Sequence, residues 1–409
     1  PKTCIQVGIG FRNEINPRAG LLRVREFCMA EIEHFVNPAD KRHVRFHTVA
    51  DKELVLFGRE DQLGSGRTQR MSAGAAVGAG LINNETLGYF MARTQLYLEK
   101  IGMDPARMRF RQHLSTEMAH YAADCWDMEI KSSYGWVECV GHADRACFDL
   151  AVHAKATGVT LEAAQRLDVP KTVKFLRLET DKKKIGMTFK GQQKMVVAAL
   201  EELTVDTEAA AAVETQLATD AAADVAGFQI TREMAKWVLE EKTVQEERFV
   251  PSVVEPSFGV GRILYSLLEH SVYVRPGDEQ RVVMRFRPAV APVKVGVYPL
   301  SGQEAFMPLC QRIVDSLNDV DISSKLDASG AAVGRRYSRA DEIGIPFGVT
   351  VDFESAADNS VTLRERDSMA QVRLPAADVP TVVFGMVRGR TTWADVTEKY
   401  PVIRAGDDD

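Results

Sequence analysis

Two short stretches of the sequence combine arginine, a carboxylate and an aromatic residue, the groups that nucleotide binding needs. The first is Phe11-Arg12-Asn13-Glu14, and Arg23-Val24-Arg25-Glu26-Phe27 follows it after a loop. A guanidinium can hold a phosphate through two hydrogen bonds, a carboxylate can accept from an amino group, and a phenyl ring can stack on a purine. The pattern indicates a nucleotide site, although a solvated charged hairpin has the same composition.

Another segment, at 255–268, joins a glycine-rich turn to an apolar helix. Glu255-Pro256-Ser257 leads into Gly259-Val260-Gly261-Arg262, and the apolar run 263–268 follows. The glycines allow a tight turn. Arg262 then falls in the first helical turn, where the helix dipole disfavours a cation unless an anion is bound. The position of Arg262 therefore indicates a bound phosphate, whereas a Gly-x-Gly alone marks many packed turns.

The elements that must position these residues alternate between strands and helices. Hydrophobic periodicity predicts strands at 4–11, 20–25, 108–110 and 137–140, helical patterns at 28–35, 87–99, 117–125 and 146–156, and a strand, turn and helix over 249–267. Residues 282–286 are typical of an edge strand. From residue 293 the prediction is strand 293–299, helix 303–317, strand 321–326, helix 334–344, strands 347–353 and 360–364, and helix 366–372. This alternation favours a separate α/β domain with a mostly parallel sheet.

Composition sets broad limits on the chain. It has 409 residues, of which 45% are hydrophobic and 26% charged, with a formal net charge of -6. Such a chain can hold two or three domains, and it offers nucleic acid no bulk attraction, so any such contact needs local basic patches. Its six cysteines show no C-x-x-C spacing and are typical of reduced thiols in an intracellular protein. No apolar run reaches the length of a membrane span.

The pair of stretches at 11–14 and 23–27 resembles motif 2 of the class II aminoacyl-tRNA synthetases, and the glycine-rich turn at 259–262 resembles their motif 3. The wider segments are similar to glycyl-tRNA synthetases of the eukaryotic and archaeal type, most clearly at 11–35, 109–127, 134–149, 254–262, 334–353 and 363–373. The resemblance implies an α/β (α+β) fold: an antiparallel sheet flanked by helices, and a C-terminal α/β anticodon-binding domain. It implies a catalytic domain in two parts (1–150 with motif 2, 243–287 with motif 3), an insertion at 151–242 and the anticodon-binding domain at 291–409.

Roles for individual residues also follow from the resemblance. Arg12 would hold the α-phosphate and Arg262 the γ-phosphate, which makes these two the catalytic residues. The ATP-binding set it implies is Arg12, Asn13, Glu14, Arg23, Val24, Phe27, Glu138, Cys139 and Arg262. Glu138 is the expected ligand of a Mg²⁺ ion, so the expected cofactors are ATP as substrate and Mg²⁺.

Glycine has no side chain to grip, so its ammonium and the space around it must be recognised. The resemblance implies a glycine-binding set of Glu31, Glu255, Pro256, Ser257 and Arg145. The two glutamates would bind the ammonium, Ser257 would lie against the α-hydrogens, and Arg145 is the candidate for the carboxylate. A larger amino acid can be refused by steric clash, so we expect no editing domain.

Other histidines and arginines carry weaker signals. His113, Glu117 and His120 have a helical spacing but do not match H-E-x-x-H, so we expect no zinc and interpret them as structural residues. In the last domain, arginines at 335, 336, 339, 364, 366 and 373 could contact RNA phosphates, with about half of them in structural ion pairs.

The expected function is ATP-dependent activation of glycine and its transfer to tRNA(Gly), with a homodimer in the full-length protein, no membrane, and a cytoplasmic or mitochondrial location. Motif 1 and an Arg-Pro-Glu-Thr segment, which the family places before the position of Pro1, do not occur in these residues, so we expect a fragment. Two alternatives stay open: an inactive fragment that acts only as a tRNA-binding module, and a prolyl or threonyl enzyme.

Overall fold

The computed structural model describes residues 2–403. The chain divides into two compact units, one formed by residues 1–152 with 251–409 and the other by residues 153–250. Within the described residues, none of the helices is both long and apolar enough to span a membrane.

Twenty strands and thirteen α-helices make up the described chain. The strands are β1 (Lys2–Phe11), β2 (Glu26–Val36), β3 (Glu53–Phe57), β4 (Gln69–Ser72), β5 (Met108–Gln112), β6 (Asp124–Ser132), β7 (Gly135–Asp144), β8 (Ala163–Thr180), β9 (Ala223–Val225), β10 (Phe228–Ile230), β11 (Ala235–Phe249), β12 (Ser252–Gly259), β13 (Val272–Val274), β14 (Val282–Met284), β15 (Val295–Pro299), β16 (Ser324–Leu326), β17 (Phe347–Val351), β18 (Ser360–Glu365), β19 (Gln371–Pro375) and β20 (Val402–Ile403). The helices are α1 (Arg59–Leu63), α2 (Ala73–Gly78), α3 (Glu85–Ile101), α4 (Phe148–Thr157), α5 (Lys182–Phe189), α6 (Gln193–Val205), α7 (Thr207–Thr219), α8 (Val260–Ser271), α9 (Met307–Asn318), α10 (Val333–Glu342), α11 (Phe353–Asp358), α12 (Val379–Val387) and α13 (Trp393–Lys399).

The first unit contains a large sheet of eight strands in the order β1-β2-β12-β7-β6-β5-β3-β4. Every neighbouring pair is antiparallel except β3 with β5. Alternate residues of the central strands, such as Phe110 and Met128, join one apolar core with Met91 of α3 and Ile263 of α8. The predicted antiparallel sheet flanked by helices is confirmed, and the other face of these strands is left for polar residues.

Local sequence signals explain the helix that lies across this core. The Asn84 side chain accepts a hydrogen bond from the Leu87 amide and begins α3, while Gly102, with a φ of 114°, ends it in the left-handed conformation. The helix predicted at 87–99 is confirmed, and so are the strand, turn and helix over 249–267, which form β12 and α8.

Several predicted elements of the large sheet are wrong. Residues 28–35 form part of strand β2 instead of a helix, because they pair with β1 on one side and with β12 on the other. Residues 20–25 contain a short 3-10 helix, with Ala19 at a φ of 58° before it, instead of a strand. Residues 117–123 form turns, so the helix predicted at 117–125 does not occur.

The C-terminal domain, which here means β15–β20 with helices α9–α13, has a six-stranded sheet in the order β16-β15-β17-β18-β19-β20. Only β15–β16 and β15–β17 are parallel, and the other three pairs are antiparallel. The sheet is therefore mixed, not mostly parallel. The chain between Val351 and Ser360 is too short for a crossover of a dozen residues, so β18 can only return antiparallel. Residues 366–372, predicted as a helix, form a turn and the start of β19.

The second unit is built on a long antiparallel ribbon of β8 and β11. Ile185, Val196, Leu200 and Trp237 belong to its own apolar core. This unit also contains helices α5, α6 and α7. The ribbon was not predicted, because its strands mix charged and apolar residues and are largely exposed along their length.

Candidate functional site

The polar face of the large sheet brings together residues that are far apart in sequence. One row of directly paired residues crosses six strands in the order Gln6, Glu31, Ser257, Gly141, Asp127 and Arg111. Directly paired residues point to the same side of a sheet. Glu31 and Ser257 are therefore neighbours by register, and the Ser257 hydroxyl donates a hydrogen bond to Glu31 Oε1 at 3.3 Å.

An aromatic surface lies beside this row, at the end of β1. Phe27 pairs with Gly10, and a Cβ at Gly10 would come within 2.9 Å of the Phe27 ring. The partly buried ring therefore rests on bare backbone. The Arg12 guanidinium lies 5.8 Å from the centre of the same ring. A flat apolar surface next to an arginine fits a purine nucleotide, which offers both a ring and phosphates.

The loop between β1 and β2 is held by its own charged residues. Arg23 forms an ion pair with Glu14 at 2.9 Å, and Arg25 Nε donates to the Glu14 carbonyl at 2.8 Å. The hydrogen bond from Arg23 lowers the pKa of Glu14. Asn13 is exposed on this loop and Val24 partly buried. Glu14 therefore stays ionised and can accept a hydrogen bond from an amino group.

Arg262, in the first turn of α8, joins three elements of the site. Its Nε donates to the Leu22 carbonyl at 3.0 Å, its Nη1 donates to the Glu138 carbonyl at 2.8 Å, and Nη1 lies 3.9 Å from the Glu138 carboxylate. These oxygens offset the unfavourable helix dipole without a bound anion. The argument that Arg262 requires a phosphate is thus weaker than the sequence indicated.

Strand β7 has a β-bulge at Glu138 and Cys139, the two residues of this strand that were expected to bind ATP. Glu138 pairs with Glu129 and Val140 with Met128, so Cys139 is the extra residue. Its thiol turns into the core, where burial raises its pKa to about 12. Glu138 stays on the polar face with 54% of its side chain accessible; the protein crowded around its carboxyl raises its pKa, and Asp127 adds to the rise. The Cys139 side chain is therefore directed away from the polar face.

Glu255 lies where the ladder between β12 and β2 opens. Pro256 has no amide hydrogen, and the ladder has no pairs at 255 and 256, although β12 continues to pair with β7 there. The Glu255 carboxylate is 3.2 Å from Arg145 Nη1. Burial raises the pKa of Glu255, and Arg145 opposes the rise.

Arg145 is already engaged by carboxylates. Besides Glu255, it contacts Asp149 at 2.7 Å, and its guanidinium lies 4.5 Å from the Tyr121 ring. The hydrogen bond to Asp149 raises the pKa of Arg145. The arrangement orients Glu255 and leaves Arg145 less free to bind a substrate carboxylate than the sequence indicated.

A cluster that the sequence prediction missed lies at the other end of the row. His113 Nε2 is 2.8 Å from Asp127 Oδ2, and this hydrogen bond is the main cause that raises the pKa of His113 to about 10. One ligand atom each of His113, Cys125 and Asp127 lie within 4.8 Å of one another. Such donors suit a divalent cation, but a histidine protonated at neutral pH has no lone pair to offer one.

His113, Glu117 and His120, which have a helical spacing in the sequence, do not lie on one helix. Glu117 pairs with Arg111 at 2.7 Å, and the His120 ring lies 4.9 Å from the Phe148 ring. The spacing Cys125-x-Asp127 on a strand was the available signal for the real cluster, because residues two apart share one face.

Comparison of the sequence with known proteins shows which family the chain belongs to. Residues 294–384 match the family described as "Anticodon binding domain". The chain is 39% identical over 397 residues to a glycine--tRNA ligase of Methanothrix thermoacetophila, covering 97% of this chain and 67% of that protein. The chain belongs to the glycine--tRNA ligase family.

A second member of the glycine--tRNA ligase family, from Caenorhabditis elegans, is 46% identical over 411 residues. That match covers 99% of this chain and 55% of the nematode protein, so the chain spans about half the length of this relative. Among solved structures, prolyl-tRNA synthetase from Cryptosporidium parvum, complexed with L-proline and AMP, has 12% identity and a TM-score of 0.49, covering 97% of this chain and 58% of that one.

The arginines expected to contact RNA lie mostly in structural bonds. Arg336 donates to the carbonyls of Asp327 and Leu300, and Arg364 binds Asp341. The remaining bonds are Arg339 with Asp327, Arg366 with the carbonyls of Gly344 and Phe286, and Arg373 with Asp352 and Glu354. Arg335 is exposed. Five of the six are thus engaged, more than the half that was expected.

Proposed function

We propose that the protein carrying this chain activates glycine with ATP and transfers it to tRNA(Gly). Membership of the glycine--tRNA ligase family supports the proposal. The observation that carries it is the pair of carboxylates, Glu31 and Glu255, on either side of Ser257 on the polar face. Together they offer acceptors and negative charge to an ammonium group, and Ser257, which pairs with Glu31 and lies two residues after Glu255, has a small side chain.

In this proposal the polar face aligns two substrates for an in-line displacement. A glycine carboxylate oxygen attacks the α-phosphorus of ATP, the bond to the β-phosphate oxygen breaks, and pyrophosphate leaves. Arg12 neutralises the charge that develops on the α-phosphate, and Phe27 holds the adenine. A terminal ribose hydroxyl of the tRNA then attacks the glycyl carbonyl carbon, and AMP leaves.

Other residues would support the nucleotide. Arg262 would face the γ-phosphate, while Glu14 and the Arg23-Val24 backbone would bind the adenine edge. Glu138 offers an accessible carboxylate oxygen, the ligand type that Mg²⁺ prefers, and a bound Mg²⁺ would supply charge neutralisation at the phosphates. Asn13 and the backbone of Cys139 complete the proposed ATP set.

Glycine selection would depend on shape and charge. Pro256 is buried and fixes the course of β12 next to Ser257, and Arg145 orients Glu255. We therefore assign Arg145 to the glycine site, where it orients Glu255 and lies near the place proposed for the glycine carboxylate. A methyl group on the α-carbon would meet Ser257, which would exclude larger amino acids without editing.

The proposal extends to partners. We infer that the C-terminal domain binds the anticodon region of tRNA(Gly). Alternate residues of edge strand β1 (Ile5, Val7, Ile9 and Phe11) leave 61–73% of their surfaces exposed on the face opposite the site. Such a row favours burial in a homodimer. Relatives carry names with and without a mitochondrial label, and we propose the cytoplasm for this protein.

Amino-acid-dependent exchange of pyrophosphate into ATP tests the function. We expect exchange with glycine and none with proline or threonine. Exchange with proline or threonine would reject the assignment. Absence of exchange with every amino acid, together with retained tRNA binding, would favour a tRNA-binding module instead.

A further inference from the structure

The hairpin of β13 and β14 joins the large sheet to the C-terminal domain. It follows directly after α8, the helix that begins at the candidate site with Arg262, and its turn carries Arg275. The side chain of Arg275 is 6% exposed. Its Nη2 donates to Asp341 Oδ2 at 3.0 Å and to the Arg366 carbonyl at 3.0 Å.

Asp341 lies in the C-terminal domain and accepts hydrogen bonds both from the hairpin and from its own domain. Arg364, in the same domain as Asp341, donates to both of its carboxylate oxygens at 3.0 Å each. Asp341 therefore has two guanidinium partners, one from its own domain and one from the hairpin. Because a buried ion pair repays its desolvation only with good geometry, the two partners fix where the domain can sit.

A second set of contacts lies beside Asp341. Together with the bonds of Arg275 it forms the joint, which here means the contact between residues 272–286 and the C-terminal domain. Arg366 Nη2 donates to the Phe286 carbonyl at 2.9 Å, and its Nη1 donates to the Gly344 carbonyl at 3.1 Å. The Phe286 ring covers Gly344 so closely that a Cβ there would be 2.3 Å from the ring. The joint thus combines buried charge with close apolar packing, unlike the loose contacts that allow domains to move.

We propose that Arg275 is a positioning residue for tRNA: it fixes the C-terminal domain relative to the polar face, so that one tRNA is held at its anticodon and its acceptor end together. The inference rests on the proposed function. Two contacts on one ligand reinforce each other only when their separation is right, and a fixed joint raises the effective concentration of the second contact. Arg275 takes no part in the chemistry of adenylate formation.

Arg275→Ala tests the inference because it removes the bonds from Arg275 to Asp341 and to the Arg366 carbonyl and leaves the Arg364–Asp341 pair in place. The matched control is Arg281→Ala in the same hairpin, where the Arg281 side chain forms an ion pair with nearby Asp278 at 3.4 Å. Three substrates are compared in the whole protein: full-length tRNA(Gly), a minihelix of its acceptor stem, and a hairpin of its anticodon arm. Glycine-dependent pyrophosphate exchange is measured alongside.

For Arg275→Ala we expect the KM for full-length tRNA to rise about tenfold, since part of the effective concentration is lost. Exchange, minihelix charging and binding of the anticodon hairpin should stay at wild-type levels, and Arg281→Ala should match the wild type throughout. Arg275→Lys keeps a cation in the joint and should fall between the two. This split between whole tRNA and its parts distinguishes positioning from a structural role.

Two results would overturn the inference. The first is an unchanged KM for full-length tRNA, and the second is an equal loss with the minihelix or the anticodon hairpin, which would show damage to one of the sites. If Arg275→Ala fails to fold, Arg275→Lys decides between the same outcomes. A wild-type protein without glycine-dependent exchange would instead reject the proposed function, and that result is visible before any variant is made.

Discussion

Arg12 on the polar face of the large sheet and the buried arginines of the C-terminal domain look alike in the sequence and have different surroundings in the structure. Arg12 has the Phe27 ring beside it, and no residue within 2–403 forms a hydrogen bond with its guanidinium. Arg364 and Arg366 are 7% and 2% exposed in their side chains and are fully engaged by carboxylates or carbonyls. The first kind is available for a ligand, and the second kind holds the fold together.

The difference teaches that an unengaged cation near carboxylates is a better sign of a site than a cluster of cations. A buried guanidinium with every partner inside the protein gains nothing from a phosphate. On the polar face, by contrast, the Arg12 guanidinium donates no hydrogen bond to any residue within 2–403 and has only the Phe27 ring beside it there. Substitutions in the two regions should therefore separate activity from stability.

The largest expected effect is that of Arg12→Ala on adenylate formation. Because Arg12 would stabilise charge that develops on the α-phosphate, its removal should lower glycine-dependent exchange by about 100- to 1,000-fold. Thermal unfolding should change little, since the Arg12 guanidinium forms no hydrogen bond within residues 2–403 and loses only its contact with the Phe27 ring there. Arg70→Ala, which removes an exposed ion pair with Glu53, is the matched control and should be active. A large loss of thermal stability in Arg12→Ala would show that Arg12 has a structural role. It would contradict the contrast drawn between Arg12 and the buried arginines of the C-terminal domain.

Asp341→Ala should give the opposite result. It leaves Arg275 and Arg364 buried without their carboxylate, so the free energy of unfolding should fall by about 3–5 kcal/mol in denaturant titrations. Exchange should persist under conditions where the protein is folded. Asp278→Ala removes only the exposed pair with Arg281 and should change stability by less than about 0.5 kcal/mol. Equal effects of the two aspartate variants would contradict the role given to the buried pairs.

A smaller effect is expected for Glu255→Gln, which should raise the KM for glycine by roughly tenfold to 100-fold because a charge-assisted bond to the ammonium is lost. Burial raises the pKa of Glu255, so the wild-type carboxyl becomes protonated at a higher pH than an ordinary glutamate. The wild-type KM for glycine should therefore rise as pH falls towards that pKa, and Glu255→Gln should lack this rise. The same pH dependence in both proteins would assign it to another group.

Much of the fold was predictable where one physical signal dominated. The amphipathic helix α3 and the strand, turn and helix around Gly259 were predicted close to their observed bounds, because hydrophobic periodicity and glycine turns are local signals. Strand β2 was not, because Cys28 and Ile32, four residues apart, fit both a helical and a two-residue period, and pairing with β1 and β12 decides between them. The strands β8 and β11 mix charged and apolar residues and are largely exposed, so no clear two-residue period marks them.

Resemblance to a known family indicated which residues to consider for the candidate site. It did not indicate which of their side chains contact one another. The motifs indicated Glu31, Glu255 and Ser257; the strand register pairs Glu31 with Ser257, and Glu255 lies two residues before Ser257 on the same strand. The cluster at His113 and Asp127 was missed because the segment between them was interpreted as a helix. That Arg145 serves Glu255, and that Cys139 turns inward at a bulge, depend on tertiary contacts that spacing does not encode.

A crystal structure of the protein with a non-hydrolysable glycyl-adenylate analogue tests the central claim most directly. The account predicts that the glycyl ammonium lies about 3 Å from carboxylate oxygens of Glu31 and Glu255, with the adenine on the Phe27 ring and Arg12 at the phosphate position. An analogue bound elsewhere, or bound on the polar face with its ammonium away from both glutamates, would contradict it.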